Sequence, residues 1–182
     1  MTRYQFAKIV EWAGVLRSRK RIQKMVYLLK AVGFPTDADF LLHIYGPYSF
    51  DVASITNELT QVGFLIESAQ PGPRGETFDY RLADRARERL RELEATPQGQ
   101  TWLAEIGRFT PAVKELADTD VSVLEMAATI TYFQQSGRNL GEASDKAYQF
   151  KRLPPDGDLA LRSNELVGRL QCRFDTLQVG RG

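Results

Sequence analysis

Hydrophobic and polar positions follow two different periods along this chain, and each period predicts one kind of element. Over most of the sequence, apolar side chains recur every three or four residues, which is the spacing of a buried helix face. The clearest helix begins at Ser18, a good N-cap residue, and ends near Gly33 and Pro35, which stop helices. Its predicted buried stripe consists of Ile22, Met25, Val26, Leu29 and Val32.

A period of two appears later and predicts a β-hairpin. Residues 77–82 alternate apolar with polar positions, and a first strand is predicted over 64–67. The connection at 69–76 is rich in proline and glycine and carries Arg74 near its tip. Three predicted helices followed by a hairpin is the element order of a winged-helix domain, so residues 1–82 are predicted to be winged-helix-like.

The remainder of the chain has the helical period throughout. Thr96-Pro97 and Thr110-Pro111 each predict a helix start, with threonine as the cap and proline in the first turn. A strong helix is predicted from Asp120 to Gln135. The predicted fold class is therefore α+β, mostly α. A winged-helix-like domain over 1–82 precedes a helical extension over 83–182, which packs on it or on a second subunit.

One short apolar run interrupts this helical scheme. Phe40 to Tyr45 reads FLLHIY and is predicted to be a strand or a buried extended segment, with a turn at Gly46-Pro47. The run contains His43, the one histidine of the chain. We expect His43 to be a structural histidine, bonded to nearby backbone. Ser49 or Asp51 then caps the next helix.

Charge changes this picture more through its distribution than through its total. The net charge is +1 for 182 residues, which gives no overall attraction to nucleic acid or membrane. Residues 1–30, however, contain eight Lys or Arg and a single acidic residue, whereas residues 31–80 contain seven Asp or Glu and a single Arg. No secretory signal or apolar run of membrane-spanning length is evident, so a cytoplasmic protein with no membrane association is expected.

The inventory of reactive side chains argues against an enzyme. A single cysteine, Cys172, excludes an internal disulfide, and with one histidine the chain lacks the ligands of a zinc cluster. Neither a phosphate-binding glycine loop nor a dinucleotide fingerprint is present. We therefore expect no catalytic residues, no metal and no cofactor. Cys172 is expected to be a small core residue.

Two partner hypotheses of different kinds stay open. In the first, duplex DNA is bound by a basic helix whose cations contact phosphates, by a helix reading base edges in the major groove, and by the tip of the hairpin. The residues predicted for this role are Arg17, Arg19, Lys20, Arg21, Lys24, Ser54, Asn57, Gln61 and Arg74. Asp51 and Glu58 on the second of these helices weaken the fit to DNA.

In the second hypothesis, an aromatic turn binds a partner protein, because tyrosine and other aromatic residues are enriched at interface hot spots. The predicted anchor is Tyr45, Pro47, Tyr48 and Phe50. Core packing is the competing interpretation for Tyr45 and for Tyr27. A homodimer formed through the helical extension is a further arrangement that the sequence allows.

Four segments carry a resemblance to a known family: KRIQKMVYLLKAVGF, HIYGPYS, NELTQVGFL and LEMAATITYF. Together they resemble the YwgA-like family of small bacterial proteins. More distantly, Ile22-Gln23-Lys24 with Tyr27, followed by Tyr45-Gly46-Pro47, is similar to the Panacea domain of antitoxins. The resemblance implies a winged-helix-like first half with an α-helical tail, in a toxin–antitoxin or phage-defence setting. It implies no catalytic residues. The leading interpretation of the sequence is a non-enzymatic regulatory protein that binds nucleic acid through its basic helix. The alternative is an antitoxin-like module that binds a partner protein encoded nearby.

Overall fold

A computed structural model describes residues 1–72, 75–155 and 157–179, with side chains as far as Phe174. The protein is 65% helical and contains small antiparallel sheets. The predicted α+β, mostly α class is confirmed. The winged-helix type of the first half and the division of the chain at residue 82 stay predictions.

The first half alternates helices with short strands. Its helices are α1 (Arg3–Ala13), α2 (Arg19–Ala31) and α3 (Phe50–Gln61). Its strands are β1 (Leu16–Arg17), β2 (Leu41–His43), β3 (Gly46–Tyr48), β4 (Leu65–Gly72) and β5 (Gly75–Leu82). The second half is helical, with a 3-10 turn at Gly107–Phe109, and comprises α4 (Asp84–Glu94), α5 (Pro97–Ile106), α6 (Thr110–Asp118), α7 (Val121–Gln134), α8 (Leu140–Lys151) and α9 (Asp158–Val179).

The N-caps fix where the first helices begin, and most were predicted. The Ser18 hydroxyl accepts the backbone N–H of Arg21 at 3.3 Å at the start of α2. Ser49, one of two predicted caps, accepts the N–H of Val52 at 3.3 Å and starts α3. Thr110 is an exception: its hydroxyl donates back to the carbonyl of Gly107, because the 3-10 turn already leads into α6.

The predicted hairpin is formed by β4 and β5, which pair from Leu65 with Leu82 to Gly72 with Gly75. The short strand β1 pairs with the other edge of β5, with Leu16 opposite Tyr80. Arg74, predicted at the tip of this hairpin, lies outside the described residues. The sheet order is β1-β5-β4.

A second, smaller hairpin replaces the turn predicted at Gly46-Pro47. Strands β2 and β3 pair antiparallel, with His43 opposite Gly46, so the two-residue connection is Ile44-Tyr45. Gly46 and Pro47 already belong to the returning strand. The predicted position of this turn was therefore wrong by two residues, and the consequence is that Ile44 and Tyr45 occupy the tip.

Both halves of the chain contribute to one continuous core. Helix α7 packs against α2, α8 and α9, and α6 packs against α1. Phe6 and Met25 from the first half and Phe109, Leu124 and Leu166 from the second are all buried in the same cluster. Every residue of α2 from Arg21 to Leu29 is buried, so this helix lies between the two halves.

Candidate functional site

A groove of about 710 Å³ lies between the start of α2, the β2–β3 hairpin and α3. Its walls are largely apolar and come from all three elements: Ile22 from α2, Leu41, Leu42 and Tyr48 from the hairpin, and Phe50 from α3. The groove therefore joins the two features that the sequence singled out, the basic helix and the aromatic turn.

The hairpin exposes large apolar side chains beside this groove. Ile44 is 66% exposed at the tip, Phe50 is 71% exposed at the first turn of α3, and Leu41 and Tyr45 are also exposed. The Tyr48 ring packs edge-on against Phe50 with centroids 5.2 Å apart. A cluster of this kind on a water-soluble surface commonly marks a contact site for another molecule.

Lys24 is buried next to the hairpin and donates a hydrogen bond to strand β3. Its side chain is 2% exposed, and its Nζ donates to the backbone carbonyl of Pro47 at 2.6 Å. Burial lowers the pKa of Lys24 to about 8; Glu125 opposes this shift, whereas Lys151 and Lys20 add to it. A charged ammonium group is therefore buried at this point of the fold.

The amide of Gln23 fixes the next residue of the same segment. Its Nε2 donates to the carbonyl of Ser49 at 2.9 Å, and its Oε1 accepts the N–H of Ser49 at 2.8 Å. Both backbone groups of Ser49 are thereby satisfied by one buried side chain. Since Ser49 also caps α3, Gln23 positions the hairpin and α3 together.

Glu125 on α7 is the shared acceptor of two lysines beside the hairpin. It accepts from Lys20 Nζ at 2.8 Å and from Lys151, whose Nζ also donates to the carbonyl of Ile44 at 2.9 Å. Burial alone would raise the pKa of Glu125, but the hydrogen bonds from Lys151 and Lys20 outweigh it and lower that pKa. The hairpin is in this way tied to α7 and α8.

Gly46 lies close to α7. Its φ is +82°, a conformation that favours glycine. A Cβ added at this position would lie 2.6 Å from the hydroxyl of Thr129, which itself donates to the carbonyl of Glu125 at 2.7 Å. A side chain at Gly46 would lift the hairpin away from α7.

Three of the five cations predicted on the basic helix are exposed: Arg17, Arg19 and Lys20. Arg19 donates from Nε to the Tyr80 hydroxyl at 2.7 Å and pairs with Glu67 at 3.1 Å, and the bond to Tyr80 raises the pKa of Arg19. Lys20 Nζ lies 4.8 Å from the centre of the Tyr45 ring, within cation–π range.

The other two predicted cations, Arg21 and Lys24, are buried, so the five cations do not share one exposed surface. Arg21 Nη1 donates to the carbonyls of Leu116, Ala117 and Thr119 at 3.2, 2.8 and 2.5 Å. These carbonyls lie at the C-terminal end of α6, where helices lack internal donors. Burial lowers the pKa of Arg21. Both side chains donate to backbone carbonyls inside the fold.

Helix α3 exposes Ser54, Asn57 and Gln61, the residues predicted to read base edges. Ser54 lines a second, open groove of about 1090 Å³ together with Asp51 and Glu58 of the same helix. Glu58 forms an ion pair with Arg3 of α1. The outer surface of α3 therefore combines polar side chains with carboxylates, which repel a phosphate backbone.

The four predicted aromatic-turn residues divide by burial. Tyr45 and Phe50 are exposed, Tyr48 is half-buried, and Pro47 is buried with its carbonyl bonded to Lys24. The core interpretation is confirmed for Tyr27, which is buried, but it is wrong for Tyr45.

The expected structural roles of the one histidine and the one cysteine were wrong. His43 is exposed because alternate residues of β2 face outward, and its ring lies 5.8 Å from that of Tyr45. Cys172 is exposed on α9 rather than part of the core.

Four residues of the site were missed by the sequence patterns: Leu41, Ile44, Glu125 and Lys151. Glu125 did leave a signal, because it is the one charged residue between Val121 and Gln134. A single carboxylate within an otherwise apolar and polar-neutral helix indicates a buried partner of opposite charge. Lys151 left no comparable signal, since it is one of several charged residues near the end of α8.

Across 1–72, 75–155 and 157–179, no set of three or more His, Cys, Asp or Glu side chains is arranged to hold a metal ion. Within the same residues, none of the helices combines the length and the apolar character needed to cross a bilayer. The chain is a small α+β protein, mostly α, in which Lys24 and Lys151 donate hydrogen bonds to the backbone of an apolar hairpin.

Comparison with known proteins identifies the family within this fold class. The chain is 30% identical over 148 residues to the uncharacterized protein YwgA of Bacillus subtilis (strain 168), and the match covers 79% of this chain and 80% of that protein. The chain therefore belongs to the YwgA-like family. None of the general models of protein families matches the chain.

Proposed function

We propose that this chain is a non-enzymatic, antitoxin-like protein-binding module that engages a partner protein through the β2–β3 hairpin. The observation that carries the proposal is the exposed set Leu41, Ile44, Tyr45 and Phe50 around an apolar groove. An exposed apolar patch of this size marks an interaction site, and tyrosine is one of the residue types enriched at the hot spots of protein interfaces.

The side chains that bind the backbone of the hairpin also support a role in protein binding. Buried polar side chains fix the backbone at Ile44, Pro47 and Ser49, so the exposed residues are held on a preorganised support. Preorganisation lowers the conformational entropy lost on binding, and it favours affinity without additional contacts. A hairpin needed only for folding would not require its apolar tip to face water.

The more distant likeness to the Panacea domain of antitoxins adds the setting of this proposal. The segments that carry it, Ile22-Gln23-Lys24 and Tyr45-Gly46-Pro47, lie together at the groove and its mount. In this proposal the chain acts in the cytoplasm, in a toxin–antitoxin or phage-defence context, and its partner is the product of a neighbouring gene.

The test is reconstitution of the tagged full chain with the products of the genes that flank its own, followed by a binding isotherm with each purified product. We expect one product to bind and Ile44→Asp to weaken it by roughly 100-fold or more, since a charge would enter an apolar contact. Leu161→Asp is the matched control, because Leu161 is 61% exposed but lies on α9. Equal binding by both variants would refute the hairpin as the binding site.

Duplex DNA is a second candidate, and it includes the proposal that the first half is of winged-helix type. The supporting observation is the exposed trio Arg17, Arg19 and Lys20 beside the β1-β5-β4 sheet. Ser54, Asn57 and Gln61 on α3 would face the bases. Arg74 is the predicted contact at the tip of the hairpin.

Salt dependence tests this second candidate directly. Binding to duplex DNA predicts retention at low salt, an affinity that falls steeply as salt is added, and loss of retention when Arg17, Arg19 and Lys20 are changed to Glu. Arg162→Glu on α9 is the control, since Arg162 is half exposed and forms its ion pair with Asp158 of the same helix. Absence of DNA retention at low salt would exclude this candidate.

A further inference from the structure

The charged side chains at the hairpin groove all carry one sign. Arg19, Lys20 and Lys24 line it together with His43, and of the described residues that line it none is Asp or Glu. The remaining lining is apolar or uncharged. An apolar groove with a cationic edge discriminates between partners, because a carboxylate gains energy there and an ammonium group loses it.

The carboxylates nearby neutralise this edge only in part. Arg19 pairs with Glu67 at 3.1 Å, on the side of the sheet. Among the described residues, Glu125 is the carboxylate that faces Lys20, Lys24 and Lys151, which leaves an excess of two positive charges next to the groove when all three lysines are protonated. Lys20 is the most accessible of the three, with its side chain 40% exposed.

We propose that the groove binds a segment of the partner protein in which an Asp or Glu side chain stands beside large apolar residues. The apolar side chains pack between Ile22, Leu41 and Phe50, and the carboxylate forms an ion pair with Lys20 at the edge of the groove. This assignment rests on the protein-binding function proposed above and specifies the chemistry of the partner.

Two observations favour a peptide segment over a nucleic acid at this place. A phosphodiester backbone follows exposed cations in a row, whereas here Lys24 is buried at the base and the walls are apolar. The exposed apolar surface of Ile44 and Phe50 would also meet water or phosphates in such a complex. A partner with alternating apolar and acidic side chains satisfies both parts of the groove.

The partner chemistry can be tested without knowing the partner, by selection from a displayed library of random 12-residue peptides on the immobilised full chain. We expect selected peptides to be enriched in Asp or Glu next to Phe, Leu, Ile or Trp. We also expect them to bind the Ile44→Asp variant far more weakly than the original chain. For a synthetic peptide of the selected sequence, Lys20→Ala and the peptide's own Glu→Gln change should each weaken binding by roughly tenfold, and less than additively when combined.

Controls separate the charge from the fold. Arg162→Ala removes an exposed cation on α9 and should leave the dissociation constant unchanged. The melting temperatures of all variants should agree. Lys20→Arg should keep the binding that Lys20→Ala loses. Selected peptides without acidic residues, or equal affinity for the Glu and Gln peptides, would overturn the assignment, while a loss of binding in Ile44→Asp would still support the hairpin as the site.

Two further outcomes would overturn the assignment through a different occupant. A 20-base-pair duplex that displaces the selected peptide would place DNA in the groove. Concentration-dependent dimerisation in sedimentation, lost in Ile44→Asp, would place a second copy of this chain there. If no peptide is selected and no flanking gene product binds, both the assignment and the proposed function fail together.

Discussion

The start of α2 and the tip of the β2–β3 hairpin invert the usual distribution of polarity. Two cations at the start of the helix, Arg21 and Lys24, are buried, whereas Ile44 and Tyr45 at the tip are exposed. The two regions are about 20 residues apart in the chain, and both contribute to the lining of one groove, through Lys24 and Tyr45. Burial here follows the available hydrogen-bond partners and not the type of side chain.

The acceptors explain the inversion. Arg21 meets three carbonyls at the end of α6, and Lys24 meets the carbonyl of Pro47, so each cation completes a backbone that would otherwise lack a donor. At the tip, the two-residue connection leaves no backbone that could fold over Ile44. Arg21 and Lys24 therefore have a structural role, whereas the exposed side chains of the tip are available for binding.

The largest effect is expected for Arg21→Met, which removes the donor to three buried or part-buried carbonyls while keeping a long apolar side chain. The free energy of unfolding should fall by about 2–4 kcal/mol, because buried acceptors lose charge-assisted hydrogen bonds. Arg17→Met, at an exposed cation of the neighbouring strand, should change it by less than about 0.5 kcal/mol. Urea denaturation measures both; equal values would mean that burial of Arg21 is not structural.

Gly46→Ala should have the next largest effect on the free energy of unfolding and should displace the β2–β3 hairpin from α7. We expect a loss of about 2 kcal/mol or more, since the left-handed φ and the contact with Thr129 both oppose a side chain. Gly137→Ala is a matched control: its φ is +86°, and no atom lies within 4 Å of the added Cβ. The difference between the two variants isolates the contact, and Thr129→Ala should recover part of it.

The pH dependence of stability reports on the buried charge of Lys24. The pKa of Lys24 is about 8 in the folded protein and near its ordinary value of 10.5 when unfolded. Between these values the unfolded chain binds the additional proton, so stability rises with pH, by at most about 1.4 kcal/mol per pH unit. Lys24→Met should lack this rise. Because Lys20, Lys151 and Glu125 are present in both proteins, the difference between them reports Lys24; a difference that stays flat from pH 8 to 10 would contradict this prediction.

The smallest effect on stability is expected at the hairpin tip. Ile44→Asp should change the free energy of unfolding by less than about 0.5 kcal/mol, as should Leu161→Asp on α9, because both side chains are mostly exposed. Thermal denaturation at one pH is sufficient to compare them. A loss of several kcal/mol in Ile44→Asp alone would show that the tip is part of the core and not an exposed binding surface.

Local signals predicted much of the fold. Caps such as Ser18 and Ser49, and the alternation in residues 77–82, act through neighbouring atoms, so the sequence carries them directly. The fate of Arg21 is different. Its acceptors lie about 95 residues away, and no pattern around position 21 indicates where the end of α6 will lie.

The candidate site was predicted in part for the same reason. The sequence singled out Tyr45 and Phe50, because aromatic residues around a Gly-Pro pair are conspicuous. It did not indicate that Ile44 would be exposed, since exposure depends on a turn two residues earlier than predicted. Nor did it indicate that Lys151 would hold the tip, which requires the packing of α8 on α7.

The bond from Lys151 to the carbonyl of Ile44 also orders events during synthesis, since it joins residues 107 positions apart. A nascent chain that has released only its first half from the ribosome contains the hairpin but neither Glu125 nor Lys151. The apolar tip is therefore fixed in its final position late, after α8 has emerged. A partner that recognises the mounted hairpin would thereby distinguish finished molecules from incomplete ones.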